Sequence, residues 1–136
     1  MLRTDQVVAM HDALLDEFGG LAGGGPRGNA YEGVDAAVQA VKNSYYDRVE
    51  ELAAAYAVYL VQGHVFLDGN KPAGAAAMLT FLEANGVSIR MRPEEIATMM
   101  IDLQRRSETG EDASRLIAGI SALLAERRAK RNRPLR

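Results

Sequence analysis

The chain contains no cysteine, and only two of its 136 residues are histidine. The absence of cysteine excludes disulfides and thiolate metal sites. No apolar run approaches the roughly 20 residues of a membrane-spanning helix, because charges recur throughout. The opening Met1-Leu2-Arg3-Thr4-Asp5 lacks the apolar stretch of a signal peptide. These absences predict a cytoplasmic protein with no membrane partner.

What is present describes a globular chain. Hydrophobic residues make up 48% of it, too many for intrinsic disorder. Its length suits one domain with a sizeable core. The formal net charge of −2 conceals an asymmetry. Residues 127–136 carry six cations (Arg127, Arg128, Lys130, Arg131, Arg133 and Arg136) and no acid. Residues 1–126 are left with 10 cations against 18 acids, a net of −8. An acidic body argues against broad nucleic-acid binding by the fold itself. The chain therefore divides into a domain over 1–126 and a basic tail over 127–136. The tail is either a solvated terminus or a contact for an acidic partner or nucleic acid.

Hydrophobic spacing predicts helices along the whole length. Val7, Met10, Leu14 and Phe18 recur at helical intervals, with Gly19-Gly20 as a stop. His11 lies on this stretch beside Asp12, with no partner to give it chemistry. Gly19 to Gly33 contains seven glycines and Pro26, the composition of a long loop. It is either a connector or a functional flap, with Pro26-Arg27-Gly28-Asn29-Ala30-Tyr31 as a turn or short hairpin at its tip. Val34, Val38, Val41 and Tyr45 mark a second helix, with Tyr45-Tyr46 directed to the core. A third runs from Glu50 to Gln62, with Leu52, Tyr56, Tyr59 and Leu60 as its large apolar stripe and four alanines as a small-residue face. Asn70 caps a fourth helix that ends at Asn85-Gly86. Val87 to Arg92 is a connector with extended character. Pro93-Glu94-Glu95 opens a fifth helix, since proline and carboxylates suit a first turn. Leu116, Ile120, Leu123 and Leu124 face inward on a sixth, from Ala113 to about Arg128. The pattern is all-α, a bundle of about six helices without internal repeats.

Between the third and fourth helices stands His64-Val65-Phe66-Leu67-Asp68-Gly69-Asn70-Lys71. A helix N-terminus presents free N–H groups and partial positive charge to an anion. Gly69 permits close backbone approach, Asn70 can donate to a phosphate oxygen, and Lys71 can neutralise one. Asp68 is a hard-oxygen ligand suited to Mg²⁺. His64 titrates near neutrality and can take a proton from a hydroxyl. The set suits phosphoryl or nucleotidyl transfer, in which positioning and charge stabilisation do most of the catalysis. Residue by residue, Asp68-Gly69 is equally the composition of an ordinary turn.

His64-x-Phe66-x-Asp68-Gly69-Asn70-Lys71 resembles the signature of the Fic/Doc family, with lysine after the asparagine as in its Doc-type (death-on-curing) form. The likeness extends to His11-Asp12 through Gly20, the glycine-rich loop, the Val34–Val41 helix and Phe81-Leu82-Glu83-Ala84-Asn85-Gly86. It implies an all-α Fic fold with a glycine-rich flap. It also implies transfer of part of ATP, with Mg²⁺, to a protein hydroxyl. In that family Fic-type members mostly transfer the nucleotidyl group, and Doc-type toxins are kinases acting on elongation factor Tu. By resemblance His64 is the general base, Asp68 the Mg²⁺ ligand, and Gly69 and Asn70 the anion hole. Lys71 contacts phosphate and Phe66 anchors the loop. Arg27, Gly28, Asn29 and Tyr31 fall in the flap that docks the target backbone by strand addition. The implied partner is a Phd-like antitoxin, because no internal inhibitory motif is found.

One position departs from the pattern. Pro72 stands where the family usually has a phosphate-clamping arginine. Arg48, Arg90, Arg92, Arg105 and Arg106 are candidates to replace it from elsewhere. The alternative implied by Pro72 is a catalytically impaired Fic-fold protein that acts by nucleotide or partner binding.

Overall fold

The helix expected over Glu50–Gln62 becomes the axis of the fold. A computed structural model describes residues 1–9, 30–63 and 70–129. Among these residues the secondary structure is helical: α1 (residues 4–9), α2 (Ala30–Lys42), α3 (Val49–Gln62), α4 (Asn70–Ala84), α5 (Pro93–Glu108) and α6 (Ala113–Arg127). Helix α3 packs most extensively against α4 and α6, and also meets α2 and α5. Ala53, Ala54, Ala55, Ala57, Val58 and Leu60 have no exposed surface at all. With four helices packed around it, α3 keeps only a narrow partly exposed side at Glu51, Leu52, Tyr59 and Gln62, and its alanines let the surrounding helices approach. The expected stripe is corrected accordingly: Tyr56 and Leu60 are buried, whereas Leu52 and Tyr59 are only half-buried.

Tyr56 anchors the N-terminus. Its ring lies 5.2 Å from that of Phe81 in a tilted pair. Its hydroxyl accepts a 3.0 Å hydrogen bond from the Leu2 amide, and burial raises its pKa. Thr4 Oγ1 donates to Asp35 at 2.8 Å and ties α1 to α2.

Helix ends follow the local chemistry. The Glu51 carboxylate accepts from the Arg48 amide (3.3 Å), and Glu95 from Arg92 (3.0 Å), each satisfying a backbone donor at a helix start. Helices α4 and α5 stop in the same way. Val87 N–H donates to Leu82 O and Gly86 N–H to Glu83 O; Glu111 and Gly110 repeat the pattern onto Arg106 and Ser107. Gly86 and Gly110 sit at φ 73° and 84°, the left-handed conformation this terminator requires.

Three expectations near the ends of elements are corrected. Helix α2 starts at Ala30, so Tyr31 and Gly33 belong to the helix rather than to the glycine-rich loop. It ends at Lys42, which leaves Tyr45 wholly exposed while Tyr46 alone packs against the core. On α6 the buried face includes Ile117, and Leu123 is only half-buried.

The connector after α4 is extended at Ile89, which forms an antiparallel bridge with Arg128. Arg90 N–H donates to Arg127 O at 2.7 Å, and Ala129 N–H to Ser88 O at 2.8 Å. Two cations at the end of α6 are thereby held. Arg127 pairs with Glu95, and Arg128 Nη1 lies 2.9 Å from Glu50 Oε2. The Glu50 side chain is 5% exposed. Burial pushes its carboxyl pKa up, but hydrogen bonds from its own backbone and from Arg128 outweigh this and hold it below the usual carboxylate value. Arg128→Ala strands that buried charge and is expected to cost about 1–3 kcal/mol in denaturant unfolding.

Glu95 and Glu111 are also held low, Glu95 by the Arg92 amide and Arg127, Glu111 by Arg106. For a carboxylate depressed in the folded state, the stabilisation is fully present above its unfolded pKa of about 4.3 and is lost as pH falls through the folded value. Thermal midpoints are therefore expected to be flat near neutrality. They should fall progressively below about pH 4.3, more shallowly in the Arg106→Ala variant.

Candidate functional site

The site stands where α3 ends and α4 begins. The C-terminus of α3 is closed by Gly63 N–H donating to Tyr59 O at 3.0 Å. Gln62 Nε2 donates to Glu111 O at 3.2 Å and fixes this end to the α5–α6 connection. That tie was not legible in sequence, since one glutamine at a helix end carries no periodic signal. His64, Phe66, Asp68 and Gly69 lie outside the described residues, as do Arg27, Gly28 and Asn29. Tyr31 is in the first turn of α2.

Asn70, Lys71 and Pro72 form the start of α4. The first turn of this helix carries no acid, whereas those of α3 and α5 carry Glu50 and Glu51, and Glu94 and Glu95. Helices α3 and α5 thus use side-chain carboxylates at their positive ends. The start of α4, like that of α6, has no acid in its first turn, and Lys71 adds a cation there to the partial positive charge of the helix N-terminus. Lys71 forms no ion pair with a described residue. Pro72 is exposed, and proline suits this turn because an amide donor is not needed there.

Lys71 and Pro72 also open onto a groove of about 600 Å³ between α4 and α5. Its walls are apolar, with Ala75, Leu79, Ile96 and Ile101 among them. Ile101 is 59% exposed.

Of the cations considered as replacements for an arginine at position 72, three are engaged by carboxylates. Arg92 pairs with Glu95, Arg105 with Asp102, and Arg106 with Asp102 and Glu111. Among the described residues no group of three or more His, Asp or Glu side chains could hold a metal, so the metal expectation rests on Asp68. A single carboxylate beside an acid-free helix start is a donor set that fits Mg²⁺ delivered with phosphates, since that ion keeps waters and takes one or two carboxylates. No helix among the described residues is long and apolar enough to cross a membrane.

Comparison with known proteins identifies the family. A model described as the Fic/DOC family matches residues 1–82, a span that includes the whole of His64–Pro72. A curated relative, "Protein kinase doc" of Escherichia phage P1, is 36% identical over 110 residues, 79% of this chain and 81% of the relative. The all-α architecture expected of that family is the one observed. With more than half its length matched by the family model and a Doc protein aligned over most of both chains, the chain belongs to the Fic/DOC family, as a Doc-type member.

Proposed function

We propose that this protein is the toxin of a toxin–antitoxin pair and transfers the γ-phosphoryl group of ATP to a hydroxyl of a target protein, elongation factor Tu. The observation that carries this reading is the intact run His64-x-Phe66-x-Asp68-Gly69-Asn70-Lys71 in a chain 36% identical to a protein whose name is that of a kinase. In the reaction, the target hydroxyl oxygen attacks the γ-phosphorus while its proton passes to the His64 imidazole. The bond from that phosphorus to the β,γ-bridging oxygen breaks, and ADP leaves. The first-turn amides of α4, with Gly69 and Asn70, hold the phosphate oxygens, and Lys71 neutralises charge there. Asp68 would hold Mg²⁺, which supplies charge stabilisation at the phosphates. Phe66 anchors the loop, and Arg27, Gly28 and Asn29 of the flap, with Tyr31 from the first turn of α2, receive the target chain. Nucleotidyl transfer uses the same residues with the nucleotide reversed, so that the α-phosphorus is attacked and pyrophosphate leaves.

A Phd-like antitoxin is the proposed partner, and the cytoplasm the proposed location. Induced expression in a bacterial host should arrest growth and protein synthesis, and co-expression of a Phd-like antitoxin from a neighbouring gene should restore both. Unimpaired growth at high expression would count against the toxin reading. Pro72 favours a second reading, a Fic-fold protein that binds nucleotide or partner without turnover.

A further inference from the structure

Within Ala73-Gly74-Ala75-Ala76-Ala77 a single glycine interrupts a run of the best helix-forming residue. Glycine in a helix interior destabilises it relative to alanine. Gly74 is fully inside the fold, and a Cβ built on it would lie 3.1 Å from Met100 Cε, 3.2 Å from Val61 Cγ2 and 3.3 Å from Ala57 O. Met100 ends in a flexible chain and can swing aside. Val61 is β-branched and stiff, and the Ala57 oxygen is backbone, so neither yields readily. A methyl at this point would therefore push α4 away from α3. Gly74 lies one turn after Asn70 and three residues after Lys71, on the same rigid helix.

We propose that Gly74 is a positioning residue: its missing side chain lets α4 seat against Val61 and the Ala57 carbonyl, and so sets where Asn70 and Lys71 stand. The consequence for nucleotide rests on the reading of Asn70 and Lys71 as phosphate-binding residues; the geometry does not. The test compares wild type, Gly74→Ala, Val61→Ala and the double variant by amide NMR and by Mg-ATP affinity. Gly74→Ala should displace the Asn70 and Lys71 amide signals and weaken Mg-ATP binding about tenfold or more, because small misplacements at a phosphate site are costly. The double variant removes the stiffest side chain facing the new methyl, keeps room for it to fold, and should return both signals toward those of Val61→Ala. Asn70 and Lys71 signals that stay put in Gly74→Ala, or lie as far displaced in the double variant as in Gly74→Ala, overturn the proposal. Signals that behave as expected in a protein that does not bind Mg-ATP support the positioning role and refute the functional reading.

Discussion

Replacing His64 with alanine is expected to abolish phosphoryl transfer to the target while leaving the fold and nucleotide binding intact. General-base catalysis is typically worth about 10²–10⁴-fold, and the loss should fall in kcat rather than in the KM for ATP. The selectivity follows from the separation of roles. In the proposed mechanism the proton acceptor is His64, whereas the anion is held by Gly69, Asn70, Lys71 and the start of α4, whose first turn carries no acid. A Lys71→Ala variant should show the complementary pattern, with weaker ATP binding, because it removes the charge assigned to phosphate in the proposed mechanism. Rates in His64→Ala within a few-fold of wild type would remove that residue from the mechanism.

The second large effect is expected at Pro72. Restoring an arginine there should raise the transfer rate about 10³-fold, by analogy with the effect of arginine fingers on phosphoryl transfer. Arginine offers a planar fork to phosphate oxygens, which Lys71 as a point charge does not. The substitution should cost little stability, since Pro72 is exposed and in the first turn of α4. Pro72→Ala is the control: it removes the ring without adding a cation, and no gain is expected. An unchanged rate in Pro72→Arg would mean that phosphate charge is already met from elsewhere. Arg92, Arg105 and Arg106 are poor candidates for that role, because each is held by a carboxylate.

How far the fold was legible depended on the kind of signal. Helix ends with explicit chemistry were read correctly. Pro93-Glu94-Glu95 opens α5, and Asn85-Gly86 closes α4 because glycine at φ 73° accepts a conformation other residues resist. The centrality of α3 was not legible from its large residues. Alanines buried around most of the helix give little amphipathic contrast, so a stripe of Leu and Tyr looked like the buried face, although Leu52 and Tyr59 lie on its less buried side. The Tyr45-Tyr46 pair was misread because α2 ends at Lys42 without a glycine or proline to mark it, and outside a helix the two rings diverge. The start of α2 was hidden by the glycines before it. At the site, the type and order of residues from His64 to Lys71 are the basis of the proposed chemistry, and the structure adds that Asn70, Lys71 and Pro72 form the start of α4. What no local pattern foretold was long-range: the Gln62 tie to Glu111 and the Arg128 pair with Glu50 join residues far apart in sequence.

The most direct measurement is label transfer from ATP, supplied with Mg²⁺ and carrying the label in either the γ- or the α-phosphate, to purified elongation factor Tu. Covalent label from the γ-position alone, absent with His64→Ala, is the predicted result. No label from either position, with wild type and with Pro72→Arg alike, would contradict catalysis and leave a protein of this family that acts by binding.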